Sequence, residues 1–157
     1  MSEARRIKDQ LRRAFEGEAW HGPSLMELLA DVTAERATAK PISGVHSIWE
    51  LVLHIAFWED ISRKRIEGDD SKYQAEDGLF TVTESSEAAW QQALEKLRNT
   101  NVALREAIAT LDDDKLKEKA AGQEYSIYFL LHGVIQHDLY HAGQIALLKK
   151  ALISSKN

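Results

Sequence analysis

The chain has 157 residues, 44% hydrophobic and 29% charged, with a net charge of −5 and no cysteine. This composition predicts one soluble domain over residues 1–157, and the acidic balance argues against nucleic acid or an anionic membrane as a partner. Without cysteine there is no disulfide and no thiolate, so any metal must be held by nitrogen or oxygen donors.

The N-terminal Met1-Ser2-Glu3-Ala4-Arg5-Arg6 leads into a charged segment, unlike a secretory signal. No apolar run approaches the roughly 18 residues that span a bilayer, so a cytoplasmic protein is expected. Ala4, Ile7, Leu11, Ala14 and Phe15 recur at helical spacing and predict a helix over residues 3–17. Trp20-His21-Gly22-Pro23 breaks the pattern. Ser24 then opens a shorter helix with Leu25, Leu28, Leu29 and Val32 as its apolar positions, expected to stop before Pro41. Ser47-Ile48-Trp49-Glu50 has the form of a capping box, and the helix it starts runs to about Glu67. Its seam reads Leu51, His54, Trp58, Ile61.

Residues 68–83 are acidic and aperiodic, long for a connection between neighbouring helices. A third long helix is expected from about Glu84, with Trp90, Leu94, Leu97, Asn101, Leu104, Ile108 and Leu111 as its seam. Asp112-Asp113-Asp114 opposes its continuation, because acids are repelled by the negative helix C-terminus. A second long connection covers residues 112–125, and Ser126 caps a last helix that reaches about Leu152. These elements predict an all-α four-helix bundle with long crossover connections.

The last helix carries Ile127, Leu130, Val134, His137, His141, Gln144 and Leu148 as its seam. Its apolar stripe changes to imidazole for one turn. His137 and His141, four residues apart, share a helix face, and His54 interrupts the seam of another helix. Neutral imidazoles suit zinc, nickel, iron or copper, and three protein ligands leave a position for water or substrate. His54, His137 and His141 are therefore the candidate metal ligands, with Gln144 placed to orient one of them. A lone seam histidine is more often a hydrogen-bonded core residue. Three together, without a cation, would be hard to satisfy.

His137-Asp138-Leu139-Tyr140-His141 also approximates the zincin motif, but none of the 16 residues after His141 is Asp, Glu or His, so no third zincin ligand follows. Paired Glu-x-x-His motifs of a di-iron bundle are absent too. Asp138 and Tyr140 are read as flanking the seam. His132 points elsewhere on its helix, and His21 and His46 are expected at the surface. Trp49, Trp58 and Trp90 are read as core.

The stretches Ser47-Ile48-Trp49-Glu50-Leu51-Val52-Leu53-His54-Ile55-Ala56-Phe57-Trp58-Glu59 and His137-Asp138-Leu139-Tyr140-His141-Ala142-Gly143-Gln144-Ile145 resemble the DinB/YfiT-like family. The resemblance implies a four-helix bundle with a long crossover, a divalent metal on His54, His137 and His141, and frequent homodimers. It also implies thiol-dependent S-transfer or isomerisation with a low-molecular-weight thiol and a small-molecule substrate. Two other readings stay open: a hydrolase using metal-activated water, and a metal-binding or stress-related bundle without turnover.

Overall fold

Each helix of the chain begins on a hydroxyl. In the computed structural model, which describes residues 2–154, the caps are Ser2 for α1 (Glu3–Glu16), Ser24 for α2 (Leu25–Leu29) and Thr33 for α3 (Ala34–Thr38). Ser47 caps α4 (Ile48–Ile66) and Ser86 caps α5 (Glu87–Ala109). Ser126 does the same for α6 (Ile127–Ser154), accepting from the Phe129 N–H. Each hydroxyl takes one otherwise orphaned amide, a bond worth about 1 kcal/mol per cap. At α2 and α4, Glu27 and Glu50 close the reciprocal capping box.

Helices α1, α4, α5 and α6 form the bundle, and among the described residues there is no named strand. Cross-helix pairs give the directions. Trp49 packs on Trp90 with ring centroids 5.2 Å apart, and further along Asn101 reaches Glu59, so α4 and α5 run parallel. His54 meets His137, and Arg65 reaches Tyr125, so α6 runs against α4. Arg105 pairs with Glu16, while Asp113 near the end of α5 accepts from the first amides of α1, so α1 runs against α5. That carboxylate at the N-terminus of α1 also complements its dipole.

Parallel neighbours need a connection that returns the length of a helix, about 28 Å for α4 at 1.5 Å per residue. Residues 67–86 make this crossover, with one turn of 3₁₀ helix at Ala75–Gly78. The second connection turns at one end of the bundle. Ala121 donates to the Arg65 carbonyl, and Lys119 bridges Ser126 to lead into α6.

The structure departs from the expected helix boundaries in two places. The helix expected from Ser24 to Pro41 is two short ones, α2 and α3, because distant groups claim the intervening backbone. The Trp90 indole donates to the Val32 carbonyl at 2.7 Å, and the Ala34 N–H donates to Glu87 at 2.8 Å. Thr33 then caps α3. Helix α5 starts at Glu87 rather than Glu84, since Glu84 bends back to accept from the Ser85 and Ser86 amides.

The core lies in two parts. One gathers Leu25, Trp49, Ile55, Trp90, Leu97 and Ile145; the other gathers Ile7, Leu11, Leu104, Ile108, Leu116 and Leu131. Between them, fully buried Glu59, Asn101 and Asp138 make a polar layer. Trp90 is fully buried and pins the α2–α3 break to α5. Replacing Trp90 by Phe should cost about 2–4 kcal/mol in urea unfolding, from an unsatisfied Val32 carbonyl plus lost packing. A loss under 0.5 kcal/mol would show that this hydrogen bond does not hold the break.

Candidate metal centre

Helices α4 and α6 cross the polar layer at the same level and bring His54, His137 and His141 together. His137 Nε2 lies 3.0 Å from His54 Nε2 and 3.1 Å from His141 Nε2. A ring nitrogen carries one hydrogen at most, so His137 could donate across only one of these contacts. The nitrogen in the other contact would be left with its lone pair turned on His137 and no hydrogen to meet it.

Each ring turns its far nitrogen to an oxygen. His54 Nδ1 donates to the Gly78 carbonyl at 2.8 Å, and His141 Nδ1 donates to Gln144 Oε1 at 2.6 Å. His137 Nδ1 faces Asp138 Oδ1 at 3.5 Å. The two hydrogen bonds hold the hydrogen of His54 and His141 on Nδ1, the carboxyl beside His137 favours the same tautomer there, and the Nε2 lone pairs aim inward, the arrangement found around histidine-bound metals. Nitrogens 3.0–3.1 Å apart match two bonds of roughly 2.05–2.1 Å meeting at roughly 95°. The donor set thus fits a divalent cation, and the three histidines form the group able to hold one among the described residues.

Protonation would not compete with such an ion. Burial pushes His137 and His141 down to about 4, and it lowers His54 against the Gly78 hydrogen bond. The rings are therefore neutral at pH 7, as metal ligation requires.

Gly78 reaches His54 because it has no side chain. A Cβ there would strike the Trp58 indole nitrogen and come within 3.2 Å of Phe57. The crossover is thereby held against α4 with its carbonyl on His54.

A cavity of about 200 Å³ opens beside the cluster, walled by His54, His141, Gln144, Tyr140, Phe80 and His46. His46, expected as a surface residue, is half-exposed but also faces this cavity. Its Nδ1 lies 3.3 Å from Glu50 Oε2. Glu50 is buried, which raises its pKa, but the Lys40 ammonium, the Ser47 amide and His46 outweigh burial and hold it below the usual range. His132 stands apart, its ring against Tyr128 at 4.4 Å, and His21 is exposed in a loop.

Asp138 is a correction to the expected seam. It does not flank the buried face but occupies its centre, in the row Leu131, Val134, Asp138, Ala142 and Ile145, while the two histidines lie toward one edge. Glu59 is its counterpart on α4, close enough for each carboxyl to shift the other, and both Asp138 oxygens are buried with no donor among the described residues. Two neighbouring buried carboxyls do not both ionise, and a proton on Glu59 would give Asp138 the donor it lacks. Burial, then the Asp138 charge, pushes Glu59 well above its ordinary value; burial also raises Asp138. Asn101 donates to Glu59 at 2.6 Å and Thr100 at 3.3 Å.

A model of the DinB superfamily matches residues 19–145, a span that contains all three histidines. The chain belongs to the DinB superfamily. A crystal structure of a conserved protein from Enterococcus faecalis has the same fold, with a TM-score of 0.69 at 17% identity, covering 98% of this chain and 99% of that one. No curated protein matches the chain. Among the described residues of this DinB bundle, no helix is long and apolar enough to cross a membrane.

The acid pair makes stability depend on pH in a definite direction. Because the folded-state pKa of Glu59 is raised, its contribution is full below the ordinary 4.5 and is lost as pH rises through the folded value. Glu59→Gln lacks this titration and can still donate to Asp138. The stability of wild type relative to Glu59→Gln should therefore fall as pH rises above 4.5 toward the raised folded-state value, by about 1.4 kcal/mol for each unit by which the pKa is raised. Glu59→Ala, which strands Asn101 and Asp138, should cost about 3–5 kcal/mol. Urea titrations at several pH values measure both; parallel wild-type and Gln curves would refute the shared proton.

Proposed function

We propose that this chain is a metal-dependent enzyme that joins a small external thiol to a small electrophile, with His54, His137 and His141 as ligands of one divalent metal. The observation that carries the reading is the convergence of three Nε2 lone pairs at the wall of a cavity. A metal that only pinned two helices would need no such opening. Zinc or nickel suits three imidazoles best, and iron is compatible. Held there, the metal supplies Lewis-acid stabilisation of an anionic sulfur or oxygen at neutral pH.

The chain's own residues supply orientation and proton transfer. Gly78 and Gln144 fix the His54 and His141 tautomers so that neither ring can rotate its lone pair away. His46 is the candidate proton acceptor. Glu50, ionised and buried, orients it through Nδ1 and leaves Nε2 to take the proton of the incoming thiol. The sulfur then bonds to the electrophilic carbon, the leaving group departs with the electrons of its own bond, and His46 returns the proton to it or to solvent. With no cysteine in the chain, the thiol has to come from outside. Hydrolysis would use the same His46–Glu50 pair to take a proton from water. Consumption of thiol with an electrophilic halide, compared with cleavage of an activated ester, separates the two reactions.

Protein purified without an affinity tag should carry about one equivalent of a transition metal, lost in His54→Ala and His137→Ala. A folded, metal-free wild type that refuses added zinc and nickel would refute the reading. Gly78→Ala should keep the bundle folded but weaken metal binding about 10–100-fold, through the misplaced partner of His54. Competition with a chromogenic chelator gives the affinity, and an unchanged value would mean that the Gly78 carbonyl does not orient the ligand.

A further inference from the structure

His137 also forms the wall of a second cavity, of about 250 Å³, that shares no lining residue with the first. Its other walls include Trp58, Arg65, Tyr125, Phe129 and Gly133. Arg65 is 8% exposed. Its Nη1 donates to Tyr125 Oη at 2.8 Å, its Nε–H is buried without a partner, and no carboxylate pairs with it among the described residues. A guanidinium taken out of water with donors unspent is costly unless something else meets it.

Tyr125 adds a second donor. Its oxygen accepts from Arg65, so its own hydrogen is free to turn outward, with no acceptor for it among the described residues. The mouth is unobstructed, since a Cβ on Gly133 would meet nothing within 4 Å. Two aromatic rings, Trp58 and Phe129, stand in the same wall as the two donors, with Phe129 largely exposed.

We propose that this cavity binds a small aromatic carboxylate, its two oxygens on Arg65 and Tyr125 and its ring against Trp58 and Phe129. One guanidinium and one hydroxyl match two carboxylate oxygens. No second cation lines the cavity to balance a phosphate dianion. The site stands on its own geometry; only its role, seating the acid group of a substrate beside His137, rests on the metalloenzyme reading.

The test uses full-length wild-type protein and three probes: benzoate, its neutral isostere benzamide, and inorganic phosphate, followed by calorimetry and by the NMR signals of the tryptophan indoles. Benzoate should bind in the millimolar range, with benzamide and phosphate at least about tenfold weaker. Arg65→Gln should weaken benzoate about tenfold or more, and Tyr125→Phe about threefold to tenfold. Should Arg65→Gln fail to fold, Tyr125→Phe carries the comparison. Equal binding of benzoate and benzamide, tighter binding of phosphate, no benzoate binding, or no loss in a folded variant would each overturn the proposal. A benzoate molecule on the metal would be indifferent to Arg65, and a protein without metal would still bind it here. Failure of this site is therefore distinguishable from failure of the metal centre.

Discussion

Three imidazole nitrogens turned toward one another inside a bundle cannot satisfy themselves, and much of this structure serves to hold them in that position. His54 and His141 have their outer nitrogens tied to a loop carbonyl and a glutamine one turn away, and the outer nitrogen of His137 faces a buried acid. These partners come from the crossover and from α6 itself. The crossover is needed in any case, because α4 and α5 run parallel. By carrying Gly78 to the Trp58 indole, it becomes part of the site rather than a mere link. Topology and ligand orientation are therefore one problem here.

The same layer holds a second polar set behind the histidines. Glu59 from α4, Asp138 from α6, and Thr100 with Asn101 from α5 interlock where the two halves of the apolar core meet. Buried acids seldom add stability over apolar residues of the same size. What they add is register. An apolar seam tolerates a slip of one helical turn, whereas a slip here would strand two carboxyls and an amide at once. A metal tripod drawn from two helices needs that register, since moving α6 by one turn would carry His137 out of reach of His54.

Much of this was legible in the chain because its signals are local. The caps at Ser24, Ser47 and Ser126, the breaker at Gly22-Pro23, and histidines interrupting apolar seams can each be read within one or two turns. The features that escaped reading depend on distant atoms. Nothing near Val32 announces that Trp90 will take its carbonyl, and a carbonyl such as that of Gly78 carries no side-chain signal at all. Asp138 was hidden by a different effect. With the histidines taken as the middle of the stripe, an acid one residue further looked peripheral; they lie at its edge, and the true centre passes through Leu131, Val134, Asp138 and Ile145. Glu59 follows from the same shift on α4, in the row Val52, Ile55, Glu59, Ser62.

That shift also explains why the centre can have an entrance. Ligands in the middle of a seam would be sealed by the facing helices, as the carboxyls are. Placed at the edge, the rings keep their inner nitrogens desolvated enough to stay neutral while His54 and His141 still border a cavity. His54 and His141 border that cavity and His137 borders the one beside Arg65 of α4, so the ligand cluster stands between a cavity on one side and an unpaired cation on the other. A bundle of closely packed helices has few ways to build a concave site. Displacing polar residues from the centre of the seam to its edge is one of them, and it requires no change in the backbone.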